Sequence, residues 1–174
     1  MPLGENMNIT NQHRMPQKGF TLLEVMVAMV IFAVGMLGLA GIQALSLEGS
    51  HSSYSRSQAV LLAYEMVDRM KANSSAGANY ISTAATAVAQ PATLCDGATC
   101  GAAQMASFDL WQWKQAIQNS LLSGKGSVAS ATVGTITTYT ISVHWDEDRT
   151  GVTGTDCPPD DANDLRCFQL ITQL

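Results

Sequence analysis

Residues 25–42, VMVAMVIFAVGMLGLAGI, form an eighteen-residue run without a charged or polar side chain. That is near the lower limit for a helix crossing the hydrocarbon core of a bilayer, and extending it back to Phe20 lengthens it. Arg14 and Lys18 precede the run, and no Lys or Arg follows until Arg56. The positive-inside rule then leaves the N-terminus in the cytoplasm and places the chain after about Gln43 outside. Four cysteines follow the run as two close pairs, Cys95/Cys100 and Cys157/Cys167. An even count at local spacing suits disulfides in an oxidising compartment. The net charge of −5 argues against nucleic acid as a partner, because no basic stripe exists to neutralise phosphates. Charged residues make up 13% of the chain, about half the usual share, and Ala, Ser, Thr and Gly fill the gap. That balance fits a secreted domain with long loops.

One glutamate, Glu24, interrupts the apolar character just before the run. A carboxylate at bilayer depth costs roughly 2.5–3.5 kcal/mol on insertion scales and usually marks a function. A secretory signal peptide has an apolar region of about 7–15 residues and then a small-residue cleavage site. Ile42-Gln43-Ala44 offers such a site, but the run is too long and Glu24 does not belong in it. A plain uncleaved anchor leaves Glu24 unexplained. The stretch Gly19-Phe20-Thr21-Leu22-Leu23-Glu24, behind a basic leader ending in Lys18, resembles the processing motif of type IV prepilins and pseudopilins. The resemblance implies that a membrane peptidase cuts after Gly19 and that Phe20 is then N-methylated. It also implies that Glu24 helps neutralise the Phe20 amine of a neighbouring subunit and so sets axial register in a filament. The physics agrees: residues four apart share a helix face, and a buried charge is tolerated mainly when paired. Met1, Met7 and Met15 all precede Gly19, so any of these starts gives the same mature chain.

No proline stands between Pro16 and Pro91, so one helix is expected from about Thr21 to Asn73, roughly 80 Å long at 1.5 Å per residue. Ala59, Leu62, Ala63, Met66 and Met70 share a face there, with Glu65, Asp68 and Arg69 largely away from it. The Met/Leu stripe is read as packing on the chain's own domain. Ser-rich residues 46–57, with Gly49, offer a place for a break. Gly35, Gly38 and Gly41 recur every three residues; they either soften the helix or admit a neighbouring one.

Residues 74–106 read as a mostly irregular connection. In the next helix, FDLWQWKQAIQNSLL, Leu110, Trp113, Ile117 and Leu121 have buried-face spacing. Ser107 or Asp109 is the expected cap, and Gly124 and Gly126 follow its end. Residues 135–145 alternate as a strand, with Tyr139, Ile141, Val143 and Trp145 on one side. Thr138, Thr140, Ser142 and His144 take the other. SVASATV is a weaker strand and RCFQLITQL a last one, with an acidic loop between residues 146 and 164.

No catalytic constellation is visible. His51 and His144 read as surface polar residues, His13 falls in the leader, and the serines lack partners by spacing. Asp146-x-Asp148-x-Thr150-Gly151 matches the first half of a calcium loop, but Cys157 stands where a bidentate Glu is needed. The preferred reading is a solvated loop tied by a disulfide, with no metal and no cofactor. Of the three cysteine connectivities, Cys95–Cys100 with Cys157–Cys167 is preferred for its short loops, the ten-residue one worth roughly 2–3 kcal/mol on chain-entropy grounds.

The order of elements resembles the type IV pilin fold: an α+β architecture with a long N-terminal helix, its first half transmembrane, packed on a small antiparallel sheet. SQAVLLAYEMVDRMKAN, DLWQWKQAI and YTISVHWDED are similar to PilV-type minor pilins of Gram-negative type IV pili. The resemblance implies three parts: a removed leader at 1–19, a transmembrane and assembly segment at 20–45, and a periplasmic or extracellular globular domain at 46–174. It implies a non-enzyme that joins other minor pilins and the major pilin, after prepilin peptidase and methyltransferase processing in the inner membrane. Priming of pilus assembly near the tip, twitching motility and adhesion, with a tip adhesin as a further partner, complete the expectation. The rival readings are a minor pseudopilin of a type II secretion system and a signal-anchored periplasmic binding domain.

Overall fold

The computed structural model describes residues 19–84, 89–159 and 162–174. Residues 1–18, including Arg14 and Lys18, and also Asp160 and Asp161, lie outside that set. Helix α1 spans Leu22–Ala72 and is followed by a 3-10 segment at Ser74–Tyr80. Helix α2 covers Ala102–Ser120, and strands β1 (Lys125–Val133), β2 (Ile136–Trp145) and β3 (Arg166–Gln173) complete the chain. The three strands form one antiparallel sheet in the order β1-β2-β3. The fold is therefore α+β, a long N-terminal helix with a small sheet.

Two compact units divide the chain, Met1–Leu45 and Ser46–Leu174. In the first, every described residue from Gly19 to Leu45 is exposed. Its helix is made by the chain's own backbone bonds, with no core to support it.

The serine-rich stretch 46–57, where the sequence offered a break, stays helical. The reason is local. Ser50, Ser53 and Ser57 each donate a hydroxyl to the carbonyl four residues back, at 2.9, 2.9 and 2.8 Å. Serine that bonds within its own turn no longer competes with the helix for backbone partners. Arg69 and Lys71 close the last turn, where cations suit the helix dipole.

In the second unit the expected α1 face is buried: Ala59, Leu62, Ala63, Met66 and Met70, joined by Val67. It packs in one cluster with Leu110, Trp113 and Ile117 of α2 and Val128, Ile141, Val143 and Trp145 of the sheet. Burying a Leu, Met or Ile side chain contributes roughly 1.5–3 kcal/mol, so this cluster supplies most of the domain's cohesion. Gly126 of β1 has a packing reason, since a Cβ there would stand 2.6 Å from the Trp113 ring. Phe168 and Leu170 of β3 face the same core, paired with Val143 and Ile141.

Three expectations need correction. The connection after α1 is not irregular throughout, because its start is the 3-10 segment with Ala76 and Tyr80 buried. Helix α2 begins at Ala102, and neither Ser107 nor Asp109 caps it; Gly101 occupies the N-cap and donates its N–H to Gln104 Oε1 at 2.9 Å. Asp109 is instead buried in the second turn. His144 is no surface residue either: only 1% of it is exposed, and Ser142 beside it is buried too. The period-2 pattern of β2 is intact, but its second side is also covered at this end.

Candidate functional site

Thr21 starts α1. Its carbonyl and its hydroxyl oxygen both accept the Glu24 backbone N–H, at 3.0 and 3.3 Å. Thr21 thus acts as an N-cap with Glu24 in the first turn, where a carboxylate also suits the positive end of the helix dipole. In the sequence, the Thr-x-x-Glu spacing is the signal of this cap.

Gly19 and Phe20 precede the helix, and Phe20 is 82% exposed. Among the described residues, nothing lies within 4 Å of a Cβ placed on Gly19, so no contact with them requires a glycine there. Phe20, Glu24, Val25, Ala28, Met29 and Phe32 line one shallow groove along the helix. The groove brings the two motif residues Phe20 and Glu24 to the same side. Helix α1 is long and apolar enough to cross a membrane, and its most apolar window is wholly unburied. Chemically, this end offers a carboxylate, an open backbone at Gly19–Phe20 and bare apolar surface.

A second polar group lies in the domain. Arg69 donates to Asp109 Oδ1 and Gln112 Oε1 at 2.9 Å each, and to Glu65 Oε1 at 2.7 Å. Tyr80 donates its hydroxyl to Asp109 Oδ2 at 2.5 Å. Burial and the bond to Asp109 push the Tyr80 hydroxyl pKa well above its ordinary value. Burial works against the Arg69 charge, but its bonds to Glu65 and Asp109 outweigh that and raise its pKa. These bonds tie α1, the 3-10 segment and α2 together.

Lys114 is also buried, its ammonium bonded to the Thr83 carbonyl at 2.6 Å, and burial lowers its pKa. The His144 pKa is lowered by burial first and by Lys125 second, against the opposing pull of Asp164 and Asp156. Among the described residues its Nδ1 has no hydrogen-bond partner.

Both cysteine pairs are closed locally, Cys95–Cys100 and Cys157–Cys167, with Cα separations of 5.6 and 5.9 Å. The second ties the acidic loop to β3. In that loop both Asp146 oxygens serve the loop's own backbone, accepting from Thr150 N at 3.1 Å and Gly151 N at 2.8 Å. Glu147 and Asp148 face Arg166 at 3.4 and 3.8 Å, and Ser52 of α1 donates to Glu147. Among the described residues, no three His, Cys, Asp or Glu side chains gather to hold a metal.

Comparison with protein families agrees with this geometry. The prokaryotic N-terminal methylation motif matches residues 14–40, and the type IV pilin Tt1218 family matches residues 41–111. The two matches adjoin; together they cover the helix start, all of α1 and the first part of α2, and leave the sheet outside. No curated protein and no solved structure gives a match. Over residues 14–111 the chain is thus similar to type IV pilins, and its α+β architecture is consistent with the type IV pilin fold.

Proposed function

We propose that this chain is a minor pilin precursor of the PilV kind. It is inserted with its N-terminus in the cytoplasm, cut between Gly19 and Phe20 and methylated on Phe20. It then leaves the inner membrane for a pilus through residues 20–45, while residues 46–174 form the domain on the outer side. Other minor pilins and the major pilin are its partners, and together they prime filament assembly near the tip. Twitching motility and adhesion follow from that role, with a tip adhesin as a further partner. The chain contributes a helix and a docking surface, and no chemistry of its own.

The observation that carries this reading is the state of the helix start. Among the described residues nothing stands near the Gly19 Cβ position, Phe20 and Glu24 border one groove, and residues 19–45 are exposed. A segment so apolar is stable only in lipid or against other apolar helices.

N-terminal sequencing of the membrane-extracted protein tests it. A methylated phenylalanine at position 20 is expected, and a start at Leu45 would overturn the reading in favour of an ordinary signal peptide. A type II secretion pseudopilin shares the motif, so a deletion strain separates the two systems. Loss of surface pili supports the minor pilin, and loss of exoprotein secretion supports the pseudopilin.

A further inference from the structure

Strand β1 is one edge of the sheet, and only its first half is covered. Ser82 lies antiparallel to Val128, and the two residues exchange both backbone bonds at 2.9 Å each. The outward N–H and C=O of Val128 are therefore met from within the chain. Backbone groups alternate in direction along a strand, so those of Ser130 and Thr132 also point away from β2. Among the described residues, no backbone group on that outer side bonds them. Residues 129–133 are exposed throughout.

The cover stops for a specific reason. In the register set by Ser82 and Val128, Tyr80 would stand opposite Ser130. Tyr80 is instead wholly buried at the end of the 3-10 segment, with its hydroxyl bonded to Asp109. The core draws the covering segment away, while β1 runs on to Val133. Nor is the open part of the edge protected. The pairing of β1 with β2 continues to Val133 without a bulge, and residues 126–143 contain no Pro and no charged residue. Those are the devices by which folded proteins blunt an edge that is to stay unpaired.

We propose that residues 129–133 of β1 receive an extended strand of another protein, added to the sheet as its fourth strand. The unmet groups select the occupant. They are backbone donors and acceptors two residues apart, and an extended chain presents their complements at that spacing. A helix does not, because its backbone groups are bonded internally. Ser82 is the local precedent, one residue of such a strand already in place. The absence of charge on both sides of the hairpin selects an uncharged strand with small or β-branched side chains, set beside Ala129, Ala131 and Val133. The inference rests on the sheet alone and goes beyond the pilin reading.

The test uses the full-length chain in its own cells, with benzoylphenylalanine at Ser130, at Thr132 and, as a control on the opposite edge strand, at Ile171, which is 66% exposed. After irradiation the linked peptides are identified by mass spectrometry. The expected result is linkage from positions 130 and 132 to one segment of another protein, at sites about two residues apart, with about fivefold or more the yield from position 171. Links scattered over many proteins, yields equal to the control, or links to β1 of a second copy would overturn the proposal. In the native complex, amide exchange at Ser130 and Thr132 is expected to slow about tenfold relative to the free chain, while Ala129 and Ala131, bonded to β2, change little. Unchanged exchange at Ser130 and Thr132 would overturn it.

Two variants separate the edge from the fold. Ser130→Pro removes an outward N–H and leaves the ladder to β2 intact, so links from position 132 should vanish. Thr132→Lys keeps every backbone group and adds a charge to the edge. It is expected to lower linkage from position 130 about fivefold with the unfolding transition unchanged, and normal linkage in that variant would overturn the proposal. The pilin reading stands or falls on the N-terminal sequence, which none of these measurements touches.

Discussion

The indole N–H of Trp113 on α2 donates to the backbone carbonyl of Leu62 on α1 across 2.8 Å, and the whole Trp113 side chain is buried. This bond fixes the position of α2 along α1, because an indole has one donor and the helix carbonyl is a fixed point. Leu62 in turn sits on the core face of α1.

Trp113→Phe is expected to lose the bond and part of the volume, at a cost of about 1–3 kcal/mol. Trp113→Ala should cost about 3–5 kcal/mol. Denaturant unfolding of the two variants against wild type measures both. Equal stability of Trp113→Phe and wild type would show that the bond contributes nothing.

Gly19→Val is expected to leave the fold untouched, because none of the described residues stands near its Cβ position. The same variant should accumulate as full-length precursor, detected by mass spectrometry as a chain retaining its leader. Normal trimming of Gly19→Val would remove the processing role from this glycine.

Glu24→Gln isolates charge from helix start. Glu24 reaches Thr21 through its backbone N–H, so the variant keeps the cap bond. The lost helix-dipole interaction is worth only about 0.3–1 kcal/mol. A fall of about tenfold in assembled protein, with peptidase cleavage and helix content intact, is therefore the expected signature of a carboxylate that meets a partner's amine. Unchanged assembly would leave Glu24 with its local role alone.

His144 makes the domain sensitive to acid. Its folded pKa lies below the ordinary 6.5, chiefly through burial and then through Lys125. Well above pH 6.5 both folded and unfolded states hold the neutral ring, and stability is full. As pH falls through 6.5 the unfolded state binds its proton first, so stability declines until pH passes the lowered folded value. A His144→Gln variant should show a flatter melting temperature between pH 7 and 4 than wild type. Identical slopes for the two would locate the acid sensitivity elsewhere.

Much of this molecule is written in period and punctuation. The Met/Leu stripe of α1, the Leu110–Trp113–Ile117 face and the alternation of β2 each needed only spacing, because side-chain direction follows backbone period. The contacts that join distant segments left no such trace. Asp109 looks like a cap by its place near the start of an apolar stripe. It is recruited instead by Arg69, forty residues earlier, and by Tyr80, from a stretch whose Ala, Ser and Gly content masks its buried tyrosine. The alternation placed His144 opposite the core, but not under the loop residues whose charges it feels. At the helix start the Gly19, Phe20 and Glu24 motif was legible, and the Thr-x-x-Glu spacing also marked Thr21, whose hydrogen bonds assign it the cap.

Thr21 has one more consequence. The group that stops the helix from fraying lies on the retained side of the Gly19–Phe20 bond, so trimming there would keep the Thr21 cap on α1. Maturation at that bond would edit charge and leave conformation alone. A membrane peptidase would then need no cooperation from the rest of the fold. The trimmed chain would keep its helix start intact for its next partner.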